Sequence, residues 1–456
     1  MRRPFVRLAL VLAIGIALLS TAPSAARQAG SVRQGTPTNV TAITAAEFFA
    51  PAKVWTASLT MSAEAWAAMQ PRRDASSGGR RSGGNPFLGP RGARNGTAAR
   101  QGVEFDYVHA TLQINTWTFR DVAVRYKGNH SYFRATRNGG DKISLKVDLN
   151  KYVKGQKLAG LTTINFQNNI LDSGRMNEVL AYRLYRDAGA LAPRTTYAQV
   201  YLTVEGQLTK RYLGLYSVSE NVDENFVEDR FGTRQGAIFK PVTRELFTDW
   251  GPHWTAYDQA YDPKTDLTEA QRQRVIALGR LVSGATDEEF AAKIGDYVDL
   301  DDFAEYSAVL VWLANRDNAF ETGQNVYVYL HPVTNWMYFI AWDQDFSFGT
   351  VRDKMGTLSI HSRWSGHPFL SRLHAVDAFR SKYLARMSEF SERLFVPERF
   401  MRQISEIAPA LRPSIELEGP QSLTAFDEVA RGRAGIVPNA TSRAAIVKAE
   451  LEKGAQ

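Results

Sequence analysis

Cysteine is absent from all 456 residues. Disulfide frameworks, thiolate metal sites and cysteine nucleophiles are therefore excluded. Histidine is sparse, seven scattered residues, and no H-E-x-x-H occurs, which disfavours a zincin. There is no G-x-S-x-G elbow and no Walker A loop. Beyond residue 19 no run is apolar enough to cross a bilayer. Evenly spread basic charge is lacking too. The formal charge of +8 traces to Arg2, Arg3 and Arg7 and to the seven arginines of residues 71–100, where Asp74 is the one acid. The remainder is close to neutral, so no nucleic-acid-binding face is expected.

What is present begins with an address. The three early arginines precede an apolar run, Leu8 to Leu19, and the small residues Ala22-Pro23-Ser24-Ala25-Ala26 follow. This pattern predicts a secretory signal peptide over 1–26, and an exported protein with no membrane span after cleavage. Residues 27–50 read as a polar leader. With 44% hydrophobic and 22% charged residues, the rest has a soluble globular balance and length enough for two lobes.

The first half is rich in strand signals. Val108, Ala110, Leu112 and Ile114 alternate, as do Val122, Val124 and Tyr126. In Lys142 to Leu149 the apolar Ile143, Leu145 and Val147 share one face. Lys142, Ser144, Lys146 and Asp148 share the other, which is either solvated or turned into a phosphate-binding cleft. Residues 71–100 are rich in Gly, Arg and Ser without periodicity and read as a disordered insertion. A helix is expected from about Gly174 to Ala188, capped by Asp172 or Ser173 and carrying Glu178. The second half shows 3.6-residue apolar spacing over Thr268–Ser283, Leu300–Asn315, Ala375–Leu394 and Pro397–Ala408. The order predicts an α+β chain: a β-rich lobe over 51–241 and a helical lobe over 242–456.

One β signal interrupts the helical half. Val326–Leu330 and Trp336–Trp342 flank a Pro-x-Thr-Asn turn and predict a hairpin inside residues 315–349. Asp317 and Asn325 precede it; Asp343 and Asp345 follow it. A hairpin brings its outer ends together, so these four oxygen-bearing side chains are expected at one mouth. Hard oxygen donors suit Mg²⁺ or Mn²⁺. Asp343-Gln344-Asp345 also reads as the D-x-D of a metal-dependent glycosyltransferase. Singly, each acid reads better as a turn residue or a cap; the four together favour a metal site.

Several segments, in order, resemble the CotH kinase family of atypical, secreted or surface-associated protein kinases. They are R-Y-K-G-N-H-S-Y at 125–132, K-I-S-L-K-V-D-L at 142–149, the helix around Glu178, G-L-Y-S-V-S-E-N-V-D at 214–223, I-F-K-P at 238–241, N-R-D-N at 315–318, Q-N-V-Y at 324–327 and W-D-Q-D-F-S-F-G at 342–349. The resemblance implies a kinase-like two-lobed fold that binds ATP with Mg²⁺ or Mn²⁺ and phosphorylates protein Ser/Thr hydroxyls. It implies Asp343 and Asn325 as metal ligands and Asp317 beside the acceptor hydroxyl. Asp345 is a second ligand or a cap. Lys146 is the first choice for the strand lysine on the phosphates and Lys142 the second, with Glu178 or Glu220 as its ion-pair partner. Lys127, Gly128 and Ser131 would cover the phosphates, and Lys240 would line the cleft. A non-catalytic surface protein on the same fold is the alternative.

Overall fold

The computed structural model describes residues 37–73, 85, 87–89, 94–137, 139–349, 358–361, 364 and 366–454, side chains 72 and 73 excepted. The expected signal peptide lies outside these residues, as do 27–36 of the leader and most of 74–93. All described residues belong to the unit Thr36–Gln456.

Seven strands of the first half close into a barrel. They are β1 (Val54–Met61), β2 (Val108–Ile114), β3 (Trp117–Tyr126), β4 (Leu145–Asp148), β5 (Thr163–Gln167), β6 (Thr195–Val204) and β7 (Leu208–Glu220). Around the barrel they run β6-β7-β5-β4-β3-β2-β1. A parallel pairing of β1 with β6, Val54 opposite Tyr197, completes the ring. Alternation sets each strand's inner face. Val108, Ala110, Leu112 and Ile114 are buried, as are Leu145 and Val147, and all join one core with Phe166, Val200 and Val218. Lys146 therefore stands on the outer face of β4.

Between β5 and β6 runs α1 (Asn177–Asp187), three residues shorter at its start than the sequence pattern suggests. Asp172 satisfies the first turn from outside, accepting from the Gly174 and Asn177 N–H groups at 2.9 and 2.7 Å. Val179, Leu180, Leu184 and Tyr185 of α1 belong to the core of the helical half, not that of the barrel. The helix thus carries Glu178 from the second core toward the first.

In the second half, β8 (Ala237–Phe239) pairs with β9 (Val326–Leu330), and β9 with β10 (Met337–Ala341), all antiparallel. The β9–β10 hairpin matches the sequence expectation. α2 (Glu269–Gly284) starts at a capping box, Thr268 with Gln271. α3 (Leu300–Leu313), capped by Asp299, is buried along most of its length and delivers the chain to Asn315. α4 (Asp377–Arg393), α5 (Pro397–Glu416), α6 (Pro420–Ala430) and α7 (Ile436–Gly454) complete the helical layer.

Candidate active site

The acidic side is built by the turn after α3 and the two ends of the hairpin. Asn315 Oδ1 accepts the Asp317 N–H at 2.9 Å. The Asp317 carbonyl accepts the Asn325 side-chain N–H at 2.9 Å, and the Asn325 carbonyl accepts the Trp342 N–H at 3.2 Å. The three segments are thus laced together, and Asp343 follows directly. Asn325 and Asp343 both take left-handed backbone, φ +58° and +54°. Non-glycine residues tolerate this region poorly, Asn and Asp best, and such positions cluster at functional sites. The Asp343 N–H donates to the Tyr182 hydroxyl at 2.8 Å. Asp317 Oδ1 accepts from Thr322 Oγ1 at 2.9 Å and from Gln324 Nε2 at 2.6 Å.

These acids share one electrostatic field. Burial, then the charges of Asp343, Glu178 and Asp317, push Asp345 well above the usual carboxylate range. Burial raises Asp317 too, and Asp343 adds to it, against the side-chain hydrogen bonds of Gln324, Thr322 and Asn325.

The basic side faces them from the barrel and from β8. Arg125 of β3 stands opposite Lys146 of β4. Like charges directly across a ladder destabilise it unless an anion screens them. Lys127 lies two residues on. Lys146 is pulled down to about 8 by burial and by Arg125 and Lys127. Lys240, just past β8, falls to about 7 through burial, Lys264 and Lys127, with Asp343 opposing. The Lys127 and Lys240 ammoniums lie 5.2 and 5.3 Å from the centre of the Trp342 ring. Burial lowers Lys127 as well, and Asp343 and Glu178 resist. Five cations, Arg125, Lys127, Lys146, Lys240 and Lys264, therefore crowd the approach to the acidic side.

Glu178 joins the two sides. It is buried and accepts from Ser217 and Ser219 of β7 at 3.1 and 3.3 Å. Burial and Asp343 raise its carboxyl to about 7, while Lys127, Tyr182 and Ser217 pull the other way.

The structure redistributes several expected partners. The lysine whose charge bears on Glu178 is Lys127, not Lys146. Lys146 instead reaches Asn221 Oδ1 at 3.5 Å, within a network that includes Asp223. Glu220 does not hold a strand lysine: its carboxylate grips Arg194 and Arg230 at 2.5 and 2.6 Å. Lys142 is apart from the cation group and pairs with Glu418 at 2.5 Å. Gly128 has φ +105°, and a Cβ there would sit 2.5 Å from Ser131 Oγ, so the turn of the 127–131 loop requires glycine. Asp345 lies close behind Asp343, its carbonyl accepting from Asn177 Nδ2 at 3.2 Å. Arg125, Lys264 and Tyr182 were not anticipated. Arg125 and Lys127, two apart at the end of one strand, carried a signal: a shared face.

Among the described residues, no group of three or more His, Cys, Asp or Glu side chains is placed to hold a metal. The donors fit Mg²⁺ or Mn²⁺ differently. Mg²⁺ is bound through one or two carboxylates, with phosphate oxygens and water filling its shell. Asp343 offers a carboxylate. The Asn325 nitrogen is committed to Asp317, which leaves its side-chain oxygen as the atom able to ligate.

A model of the CotH kinase protein family matches residues 124–431, from the strand of Arg125 through α6. This chain belongs to the CotH kinase family. Its fold is accordingly α+β and kinase-like, with a β-rich lobe and a mainly helical one. Every residue of the CotH site described above falls inside the matched span. No curated protein matches the chain by sequence. Solved structures that match include HipA in a complex of the Shewanella oneidensis MR-1 toxin–antitoxin system HipA, HipB and its operator DNA. That match has 12% identity over 64% of this chain and 60% of that chain, with a TM-score of 0.31. The CotH chain therefore spans about 60% of that neighbour's length. No helix among the described residues is long and apolar enough to cross a membrane.

Proposed function

We propose that this CotH-family chain is an exported protein kinase that transfers the γ-phosphate of ATP to Ser/Thr hydroxyls with Mg²⁺ or Mn²⁺. The observation that carries the reading is the buried Lys127, its ammonium over the Trp342 ring that precedes Asp343, shared with Lys240 and close to the charges of Asp343 and Glu178. Phosphoryl transfer needs positioning and charge neutralisation more than covalent chemistry. Arg125, Lys127, Lys146 and Lys240 would hold the phosphates, and anion binding would relieve their mutual repulsion. Glu178 would orient Lys127. Asn325 and Asp343 would hold the metal, which neutralises phosphate charge when bound, with Asp345 behind them. Asp317 would accept the proton of the acceptor hydroxyl as its oxygen bonds to the γ-phosphorus and ADP departs. Export rests on the signal-peptide pattern of residues 1–26.

The test is radiolabelled ATP with Mn²⁺ or Mg²⁺, followed as autophosphorylation and as transfer to a generic protein acceptor. Asp343→Asn is the informative variant, since Asn keeps a side chain suited to left-handed backbone. The expected result is label in the parent chain and its loss in Asp343→Asn. If both are silent and ATP gives no thermal shift, the reading fails.

A further inference from the structure

Tyr182 has no place in the roles just given, yet it touches Asp343 directly. It lies on α1 one turn beyond Glu178 and is fully buried. Its hydroxyl oxygen accepts the Asp343 N–H at 2.8 Å. Glu178, on the same helix, accepts from Ser217 and Ser219 on the barrel, so the helix that supplies the Tyr182 hydroxyl is itself fixed against β7.

The backbone at Asp343 needs such support. Its φ of +54° is a conformation that an Asp side chain does not favour by itself. The preceding N–H, that of Trp342, is taken by Asn325. Tyr182 supplies the acceptor for the next one. A phenol on a helix whose other side chains are locked in a packed core is a rigid acceptor.

We propose that Tyr182 is a positioning residue: its hydroxyl holds Asp343 in the left-handed turn that aims the carboxylate, and ties that turn to the rigid helix α1. The inference rests on the kinase reading, because it assigns Asp343 to a metal. It concerns a residue that acts through its neighbours and touches neither nucleotide nor acceptor.

The experiment is an equilibrium titration of the full chain with Mn²⁺ in the presence of ADP, with Tyr182→Phe and Tyr383→Phe in parallel. Tyr383 is the control. It too is buried, its hydroxyl donates to the Ile360 carbonyl at 3.0 Å, and it belongs to α4, outside the site. Tyr182→Phe is expected to raise the Mn²⁺ dissociation constant about ten-fold, the worth of one lost buried hydrogen bond. Tyr383→Phe is expected to leave that constant unchanged while losing a similar amount of stability. If the parent binds Mn²⁺ and Tyr182→Phe binds it equally well, the positioning role is overturned and the kinase reading stands. If the parent does not bind Mn²⁺ with ADP, both fall. Should Tyr182→Phe fail to fold, amide exchange on the parent decides. The Asp343 N–H is expected to be protected, and exchange at the rate of an open loop overturns the proposal.

Discussion

Lys240 shows what the site costs at the level of a single residue. Burial, with Lys264 and Lys127 nearby, brings its ammonium down to about 7 from an ordinary 10.5. Between those values the unfolded chain binds a proton that the folded chain does not, so this residue makes stability rise with pH across that window. Below about 7 both states are protonated, and the folded state carries the full strain. Lys240→Met is therefore expected to be more stable than the parent at pH 6, on the order of 2 kcal/mol. The gain should shrink toward pH 10, and nucleotide binding should be lost throughout. Urea denaturation at pH 6 and pH 9 checks this, and a variant no more stable than the parent at pH 6 would contradict it. Glu178 has the opposite sign. Its carboxyl, raised to about 7 from 4.5, makes stability fall as pH rises between those values. A second expectation comes from the same lysines. A bound polyphosphate favours the ammonium forms of Lys240 and of Lys146, which is lowered to about 8. ADP or pyrophosphate binding at pH 8 should thus take up protons. Calorimetry in buffers of different ionisation enthalpy would detect the uptake, and buffer-independent heats would refute it.

At the level of elements, the β9–β10 hairpin sets the geometry and Asn325 is its hinge. Asn325→Gly keeps a residue at ease with φ +58°, whereas Asn325→Ala forces an L side chain into it. The Ala variant is expected to be less stable than the Gly variant by about 1 kcal/mol. Both should lose Mn²⁺ binding equally, since neither has the side-chain oxygen. Chemical denaturation and Mn²⁺ titration of the pair separate backbone from ligand. Equal stability of the two would remove the strain argument, and retained Mn²⁺ binding would remove Asn325 from the ligand set. This hairpin was legible in the sequence because its signals are local: two apolar runs, a turn between them, and polar residues at the outer ends. The alternating strands and amphipathic helices were legible for the same reason. The partner of Glu178 was not. It depends on where α1 docks against β7, and no short-range pattern encodes that. Glu220 was misleading because a strand-end acid looks the same whether it faces a lysine or, as here, Arg194 and Arg230. The parallel closure of β1 on β6, between residues about 140 apart in sequence, was equally beyond periodicity.

Across the whole molecule, several contacts join the barrel to the helical half, among them Gln199 and Tyr212 with Ser414 of α5 and a cluster centred on Glu418. This residue sits in the short link between α5 and α6. Its carboxylate accepts from Lys142 at 2.5 Å and from Arg175 at 2.8 Å, and takes the Leu215 N–H of β7 at 2.8 Å. Gly214 makes room for this. It has φ +130°, and a Cβ there would lie 2.7 Å from the Lys142 side chain. Burial by itself would raise Glu418, but Lys142 and Arg175 prevail and hold it below the usual range. Another contact runs through residues 94–100, outside the matched family span. Asn95 donates to the Gln259 carbonyl at 2.7 Å, and the Ala98 N–H donates to Asn129 at 3.2 Å, beside the Lys127 loop. Removing one partner of a buried ion pair strands the others. Glu418→Gln is therefore expected to cost about 3 kcal/mol. Glu416→Gln removes an exposed pair with Arg412, two residues away, and should cost at most about 0.5 kcal/mol. The barrel and the helical half have separate cores, so loss of the Glu418 contact should also loosen their cooperativity. Urea denaturation followed by both far-UV and tryptophan signals tests the two expectations together. Coincident transitions, with Glu418→Gln no worse than Glu416→Gln, would mean that this contact does not hold the halves in register around the site.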